Sequence, residues 1–399
     1  MRSVELFAGA GGLAMGVSKA GFTHDAVIEF NRETCVTVRE NQVRGIEPVT
    51  HWPLHEMDVS LFDYRSLQDR IDLVAGGPPC QPFSMGGKHR GHLDERNMFP
   101  EAVRSVRELR PKAFIFENVK GLLRESFSTY LEYIILQLTF PEITRGVDET
   151  WEDHQRRLER QYTAGRVHGL SYNVVFRLLN SADYGVPQKR ERVVIVGFRK
   201  DLEIEWSYPE PTHSLDALAH AQWISGEYWE EHGVSRSDRP LPPLRLRSRL
   251  NQLHFDLPLS SPTRWRTVRD AIVGLPDPRS SEAESFLNHR FMPGARSYAG
   301  HTGSPLDEAA KTLKAGDHGV PGGENMVALP DGSVRYFTIR ESARLQTFPD
   351  NYVFPVSWSE SMRQLGNAVP VTLGHVIASS VRARLESAQN VESKRPVAV

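Results

Sequence analysis

The stretch GGPPCQPFS at residues 76–84 contains Cys80, one of only two cysteines in the 399-residue sequence. It follows the apolar run IDLVA, which is typical of a strand, so Cys80 is expected at the carboxyl edge of a sheet. Prolines on both sides fix the backbone, and two glycines permit close approach of another molecule. A thiol presented in such a loop suits a nucleophile. Cys35, in the helix-like RETCVTV, is expected to be an ordinary buried side chain.

A carboxylate lies at the end of one further apolar run, and two arginines lie at the start of another. Glu117 ends the run FIFE, where partial desolvation would suit it to proton donation beside Cys80; a helix cap is the alternative. In QKRERVVIVGF, Gln188, Arg190 and Arg192 alternate into a strand, so both arginines are expected to point at one site. They could hold a carbonyl oxygen, a phosphate or Glu117, or form an ordinary ion pair at the strand edge.

The segment ELFAGAGGLAMG, residues 5–16, predicts a strand, a glycine-rich turn and a helix. Gly9 and Gly11 permit a tight turn against a ligand, and Glu29 ends the next strand, where an acidic side chain can bind ribose hydroxyls. The glycine spacing differs from GxGxxG, which favours a nucleoside-bearing cofactor other than a nicotinamide dinucleotide. Asp58 follows a third strand and could bind the amino group of adenine, or could be an ordinary loop residue.

These residues need a sheet to position them, and the first 200 residues alternate apolar runs with amphipathic stretches. This alternation predicts an α/β, Rossmann-like parallel sheet with helices on both faces. Strands are expected at residues 4–8, 25–30, 71–77, 113–119, 172–179 and 192–198. Residues 141–168 are highly charged without an apolar stripe, which predicts an insertion containing a solvated helix.

The composition changes after residue 200. Residues 201–335 are rich in Pro, Arg, His and Gly, and their periodicity is weak. We therefore expect a catalytic and cofactor-binding domain at residues 1–200, completed by about 356–399, and a smaller irregular domain at 201–355. Five arginines crowd one stretch, as either a solvated loop or a set of phosphate contacts: Arg236, Arg239, Arg245, Arg247 and Arg249.

Composition excludes several classes of protein. The sequence has no apolar run of membrane-spanning length and no signal-peptide pattern, so a cytoplasmic protein is expected. Two cysteines cannot form a disulfide framework, and no Cys/His cluster has zinc spacing, so no metal is expected. The net charge of −2 gives no direct sign of a nucleic acid partner, although it can hide a basic face. No interface signal is evident, which favours a monomer.

Taken in order, these motifs resemble those of the bacterial cytosine-5 DNA methyltransferases. ELFAGAGGL is similar to the cofactor loop of that family, GGPPCQPFS to the nucleophile loop, ENV to the glutamate motif and QKRER to the paired arginines. Residues 335–352 resemble the segment that supports the target-recognition region, and LGNAVPVTLG at 365–374 resembles the motif that completes the cofactor pocket. The match spans nearly the whole chain apart from residues 201–335.

The resemblance implies methyl transfer from S-adenosylmethionine to C5 of a cytosine in a short double-stranded DNA sequence. Cys80 would add to C6 of a flipped-out base, Glu117 would act at N3, and Arg192 would bind O2. Arg190 would support the loop or the thiolate. A restriction endonuclease acting without stable contact is the implied functional partner.

The resemblance also implies binding residues. The cofactor pocket would be lined by Phe7, Gly9, Gly11, Leu13, Glu29, Phe30, Asp58, Val59, Pro78, Phe99 and Asn367. Family members often have tryptophan where this chain has Phe30, so stacking on adenine is expected to be weaker. The loop after Cys80 would close over the base. The expected DNA contacts are Ser84, Lys88, Arg96, Thr312 and Leu313.

Two other functions compete with this interpretation. A tRNA-methylating branch shares the catalytic motifs, but this chain has a long arginine-rich middle region and lacks the CFT tripeptide of that branch. A non-catalytic DNA-binding protein is disfavoured because Cys80, Glu117 and Arg192 are all present.

Overall fold

The computed structural model describes residues 1–79, 97–165, 169–256, 262–315 and 325–392. The chain forms two compact units. The first contains Met1–Leu179, Glu191–Pro209 and Asn351–Val399, and the second contains Asn180–Arg190 and Glu210–Asp350. The units differ from the boundaries expected from the sequence at residues 180–190, 201–209 and 351–355. The functions assigned to the two domains remain predictions.

Seven described strands form the sheet of the first unit, in the order β3-β2-β1-β4-β5-β7-β6. They are β1 (Arg2–Leu6), β2 (Thr23–Glu29), β3 (Leu54–Glu56), β4 (Leu73–Gly76), β5 (Ala113–Val119), β6 (Tyr172–Asn180) and β7 (Glu191–Arg199). Strands β3, β2, β1, β4 and β5 pair in parallel, but β7 runs antiparallel to β5. The expected parallel arrangement is therefore wrong for β7. Only residues 181–190 join β6 to β7, too few for the helical crossover that parallel neighbours need.

Both faces of this sheet are covered, since successive residues of β4 and β5 are all buried up to their last positions. The helices of the first unit are α1 (Gly12–Lys19), α2 (Arg32–Val43), α3 (Phe99–Leu109), α4 (Ser128–Thr139), α5 (Trp151–Ala164), α11 (Trp358–Asn367) and α12 (Val371–Glu392). Helices α3 and α4 share a core with β1, β4 and β5, while α1 contacts β4 and β2, and α2 contacts β2 and β3. Within the described ranges, no helix is long and apolar enough to cross a bilayer.

Glycines allow α1 to lie close against α12. A Cβ on Gly16 would come within 2.6 Å of the backbone nitrogen of His375, and a Cβ on Gly374 would lie 3.2 Å from a methyl carbon of Leu13. A larger residue at Gly16 would therefore separate the two helices. The C-terminal helix α12 belongs to the first unit, where it contacts α1.

The charged insertion forms helix α5, as predicted. Thr150 caps its first turn by accepting a hydrogen bond from the Asp153 amide. The expected absence of a buried face is wrong, because His154, Gln155 and Leu158 are buried. The hydroxyl group of Tyr133 in α4 lies 2.8 Å from Nδ1 of His154. A polar residue can thus complete a buried helix face, which hydrophobicity alone does not reveal.

The second unit contains short elements around a small aromatic core. Its helices are α6 (Leu215–Trp223), α7 (Glu227–Glu231), α8 (Leu244–Asp256), α9 (Val268–Ile272) and α10 (Ile339–Leu345), and its strands are β8 (His213–Ser214), β9 (Thr263–Arg264), β10 (Ser304–Pro305), β11 (Met326–Ala328) and β12 (Val334–Tyr336). Tyr228, Trp229 and Trp265 pack in this core. The loop interpretation of the arginine-rich stretch is wrong for residues 244–256, where Arg249 pairs with Asp216 at 2.5 Å.

A buried histidine in strand β2, His24, makes the stability of the first unit depend on pH. Nε2 of His24 lies 2.9 Å from the carbonyl oxygen of Ala14, which can only accept. That nitrogen therefore carries the proton, and Nδ1, 3.0 Å from Oγ of Ser3, accepts from the hydroxyl group. Burial lowers the pKa of His24 to about 4.

We predict that acid destabilises the protein through His24. Below its ordinary pKa of 6.5 the unfolded chain binds a proton that the folded state excludes, so the stability present at neutral pH is lost between about pH 6.5 and pH 4. The loss is about 3 kcal/mol. Urea unfolding at several pH values in this range gives the free energy of unfolding of the wild type and of His24→Gln. This free energy should fall less steeply with decreasing pH in the variant, and an equal pH dependence in both proteins would contradict the assignment. Burial raises the pKa of Glu5, which acts in the opposite direction in both proteins.

Candidate active site

Four parallel strands bring the predicted site residues to one edge of the first unit. Strands β2, β1, β4 and β5 are adjacent and parallel, so their carboxyl ends lie together. The glycine loop follows β1, Glu29 ends β2, Pro78 and Pro79 follow β4, and Glu117 lies near the end of β5. In open α/β sheets this edge is where ligands bind.

The loop after β1 is shaped by residues in the left-handed region of backbone space. Phe7, Gly9 and Gly11 have φ values of 54°, 55° and 86°. A Cβ on Gly9 would meet no atom within 4 Å, whereas one on Gly11 would lie 2.6 Å from the ring of Trp52. Gly9 therefore borders open space that a ligand can enter, and Gly11 makes room for the tryptophan behind the loop. Phe7 holds a strained conformation at the same place.

Glu29 ties this loop to the start of α2. Its Oε2 accepts a hydrogen bond from the Gly9 amide and its Oε1 accepts one from the Asn31 amide, both at 2.8 Å. Burial raises the pKa of Glu29, and these two hydrogen bonds oppose that rise. Because each carboxylate oxygen has a second lone pair, Glu29 can still accept hydrogen bonds from the hydroxyl groups of a sugar.

The other predicted cofactor residues divide into exposed and buried groups. Phe30 is 67% exposed, and Asp58 is also exposed with Oδ1 accepting from the Ser60 amide at 2.8 Å. Asn367 is exposed at the last residue of α11. The buried members of the set are Leu13, Val59, Pro78 and Phe99. Exposed Phe30 and Asp58 can contact a ligand directly, whereas the buried four can only support the wall behind it.

Phe30 gives a direct test of cofactor stacking. An exposed aromatic ring beside a ribose-binding carboxylate gains stability by covering a purine, so we expect Phe30→Ala to raise the Kd for S-adenosylhomocysteine about tenfold and Phe30→Trp to lower it about threefold. Isothermal titration calorimetry measures both. Val43→Ala, at a side chain 86% exposed at the end of α2, is the matched control. Equal affinities for all the proteins would exclude stacking at Phe30.

Glu117 and Arg192 form a nearly buried ion pair at this edge. Nε of Arg192 lies 2.6 Å from Oε1 of Glu117, with 11% and 10% of the two side chains exposed. Burial lowers the pKa of the Arg192 guanidinium, and the Glu117 carboxylate opposes that shift. A Cβ on Gly77 would lie 3.2 Å from Oε2 of Glu117. Of the interpretations left open by the sequence, the structure shows Arg192 holding Glu117, with Oε2 of Glu117 turned toward the loop that leads to Cys80.

Asn118 and Met98 are bonded to the two prolines that precede Cys80. The Asn118 side chain donates to the carbonyl oxygen of Pro78 at 3.0 Å, and the Met98 amide donates to that of Pro79 at 3.2 Å. Four residues predicted from the sequence lie outside the described residues: Cys80, Ser84, Lys88 and Arg96. Their roles remain predictions.

Arg190 and the dipeptide Thr312-Leu313 lie in the second unit. Arg190 is fully buried, and its Nη1 donates to the carbonyl oxygen of Leu313 at 3.2 Å. Thr312 donates to the carbonyl oxygen of Lys189 at 2.7 Å. Arg190 precedes β7, which begins at Glu191. The strand alternation that predicted Arg190 and Arg192 at one site therefore does not apply to Arg190, which contacts Leu313 instead.

Three residues that support the site were missed by sequence reasoning. Trp52 backs the glycine loop and Asn118 anchors Pro78, as described above. Arg104 of α3 donates to the carbonyl oxygens of Val59 at 2.6 Å and Phe62 at 3.3 Å, and so holds the segment after Asp58. Asn118 could have been found from its place beside Glu117, but Trp52 and Arg104 carry no local signal.

Solved structures with the same fold are methyltransferases. The S. pombe Dnmt2 methyltransferase superposes with a TM-score of 0.53 and 17% identity, covering 97% of this chain and 99% of that one. A Spodoptera frugiperda DNMT2 mutant gives a TM-score of 0.54 at 15% identity, with 96% and 99% covered. At these identities the likeness establishes the fold alone, which is that of a methyltransferase sheet with helices on both faces.

Sequence comparison defines the family. Residues 1–140 and 152–383 match the model for C-5 cytosine-specific DNA methylases. The type II methyltransferase M.PspPI of Psychrobacter sp. is 32% identical over 391 residues, covering 96% of this chain and 80% of that protein. M.Eco47II of Escherichia coli is 31% identical over 386 residues, with 95% and 78% covered. The chain belongs to the C-5 cytosine-specific DNA methylase family, and its enzyme class is DNA cytosine-5 methyltransferase.

Proposed function

We propose that this protein transfers a methyl group from S-adenosylmethionine to C5 of a cytosine within one short double-stranded DNA sequence. The observation that carries the proposal is the Glu117–Arg192 pair, held at 2.6 Å at the carboxyl edge of the sheet. Gly77, beside Oε2 of Glu117, is three residues from Cys80. The position of Gly77 next to Glu117 supports an acid on β5 acting together with a nucleophile, Cys80, on the loop that follows the adjacent strand β4.

The edge of the first unit fits the methyl donor. Open space at Gly9, a fixed carboxylate at Glu29 and an exposed ring at Phe30 suit the sugar and purine of a nucleoside. Oδ2 of Asp58 would accept a hydrogen bond from an adenine amino group. Bound there, S-adenosylmethionine would supply an electrophilic methyl group on a sulfonium.

The residues of the chain would activate the cytosine. The base must leave the helix to reach this edge. The Cys80 thiolate would form a bond to C6, and the electron pair of the C5–C6 double bond would become available at C5. In its protonated form Glu117 would donate a hydrogen bond or its proton to N3 and so stabilise this form, and Arg192, with donors beyond those facing Glu117, would bind O2. Methyl transfer would leave S-adenosylhomocysteine, and loss of the C5 proton to solvent water would then expel Cys80 as a thiolate and restore the ring.

A fluorinated substrate tests this sequence of steps. With 5-fluorocytosine in the target site, no proton can leave C5, so Cys80 should remain bonded to DNA after methyl transfer. Denaturing electrophoresis and mass spectrometry should then show a covalent complex that depends on S-adenosylmethionine. Cys80→Ser should form none, and Cys35→Ala, at the buried cysteine, should form as much as the wild type. A complex formed by Cys80→Ser, or none formed by an enzyme active on ordinary DNA, would overturn the mechanism.

The biological setting extends the proposal. The relatives named above are type II methyltransferases, which supports a role in protecting DNA from a restriction endonuclease that recognises the same sequence. We propose a monomer that acts on DNA in the cytoplasm without stable contact with that endonuclease. An endonuclease gene adjacent to this one would support the pairing, and digestion of methylated and unmethylated host DNA by its product would test it.

A further inference from the structure

The backbone of residues 312–314 in the second unit is held by side chains from other parts of the chain. The Leu313 amide donates to Oε1 of Gln188 at 3.0 Å, and the Leu313 carbonyl oxygen accepts from Arg190 at 3.2 Å. The next residue, Lys314, is bonded at both its amide and its carbonyl oxygen to the side chain of Asn325, each at 2.9 Å. Four consecutive backbone groups are thus bonded to side chains rather than to a strand or helix.

Gln188 also joins this segment to a third part of the second unit. Its Nε2 donates to the carbonyl oxygen of Leu345 at the end of α10, at 3.3 Å. The main chain beside it adds to the connection, since the Lys189 amide donates to the carbonyl oxygen of Ala310 at 2.7 Å. The side-chain oxygen of Gln188 is therefore bonded to Leu313 and its side-chain nitrogen to Leu345.

Gln188 and Asn325 are too deeply buried to contact DNA directly. Gln188 and Asn325 are both 0% exposed, whereas the Lys314 side chain that Asn325 holds by its backbone is exposed. A buried amide cannot touch a DNA duplex, but it can determine where its exposed neighbours stand. Leaving such buried donors and acceptors without partners is costly, so removal of either amide should displace the segment.

We infer that Gln188 and Asn325 are positioning residues for DNA recognition, which act by fixing the backbone of residues 312–314. The inference rests on the proposed function, in which double-stranded DNA is the substrate. Part-exposed Thr312 and exposed Lys314 are the side chains that this backbone would present to DNA, whereas the Leu313 side chain, expected from the resemblance to contact DNA, is 1% exposed and cannot do so. Gln188 and Asn325 then influence how tightly and how selectively DNA is bound, and the methyl-transfer step at Cys80 and Glu117 does not depend on them.

The test compares Gln188→Met and Asn325→Leu, which preserve side-chain volume and remove the hydrogen bonds. We expect each to raise the KM for target DNA about tenfold and to lower the preference over a site changed at one base pair by a similar factor. The Kd for S-adenosylhomocysteine and the single-turnover rate at saturating DNA should stay within about twofold of wild type. If Gln188→Met does not fold, Asn325→Leu carries the test, because it leaves Gln188 in place.

Gln222→Met is the matched control. Gln222 is a buried amide of the same unit that donates to the carbonyl oxygen of Asp307 at 2.7 Å, away from residues 312–314. Gln222→Met should lower the melting temperature about as much as the two test variants do. Its KM for target DNA and its preference for the target sequence should be those of the wild type. The inference is overturned if the control shows the same KM change, or if the variants lose single-turnover rate at unchanged KM. A wild type that transfers no methyl group to DNA would overturn the proposed function and this inference together.

Discussion

Replacing Cys80 by serine is expected to lower kcat for DNA methylation on the order of 10⁴-fold or more. A hydroxyl group at neutral pH is hardly ionised and has no base beside it in the proposed mechanism, so it cannot add to C6 as a thiolate does. Binding of target DNA should change little, because the substitution replaces one sulfur by oxygen. Steady-state transfer of a labelled methyl group and a gel-shift titration measure the two quantities.

The other cysteine supplies the control for this experiment. Cys35 is fully buried, its thiol donates to the carbonyl oxygen of Glu29 at 3.5 Å, and burial raises its pKa to about 12. Cys35→Ala should therefore retain turnover, in line with the expectation that Cys35 is an ordinary buried side chain. Turnover near the wild-type level in Cys80→Ser would show that the nucleophile is elsewhere.

Replacing Glu117 by glutamine is expected to lower the single-turnover rate by about 10²–10³-fold. The glutamine Oε1 can still accept from Arg192, so the 2.6 Å contact has a neutral substitute. Its amide group can donate a hydrogen bond to N3 but cannot transfer a proton. The defect should therefore appear in the chemical step, at unchanged affinity for S-adenosylhomocysteine.

Glu191→Gln is the matched control for Glu117. Glu191 begins β7 and pairs with Lys120 at 2.8 Å as a half-exposed surface ion pair. Such pairs contribute about 0–1 kcal/mol to stability, and no role in the reaction is assigned to this one. A single-turnover rate in Glu117→Gln that matches that of Glu191→Gln would remove Glu117 from the mechanism.

The parts of the site that sequence predicted well are local. A glycine loop after an apolar run and an acid at the end of the next run require only the strand-turn-helix unit that contains them. The sequence placed Gly9 and Glu29 after and at the end of two successive strands, and the structure joins them by a hydrogen bond from the Gly9 amide to Glu29 at 2.8 Å. Buried runs such as residues 113–119 were likewise recognised because their whole length is apolar up to Glu117.

The parts that sequence missed depend on contacts between distant segments. The direction of β7 follows from the short connection to β6, and the apolar pattern of a buried strand is the same in either direction. Arg190 and Arg192 are two residues apart, yet one holds Leu313 and the other holds Glu117. The two-residue periodicity of a strand could not distinguish the two arginines, because Arg190 lies before the strand begins. The buried amides of Gln188 and Asn325 gave no signal, since their partners are backbone groups.

Methyl transfer to DNA, with the product mapped by bisulfite sequencing, tests the central claim most directly. Purified protein and labelled S-adenosylmethionine would be incubated in two separate reactions, one with genomic DNA and one with a tRNA pool. The account predicts label in DNA only, with protected cytosines confined to one short recurring sequence and none with Cys80→Ser. Label in tRNA alone, or no label in either nucleic acid, would contradict it.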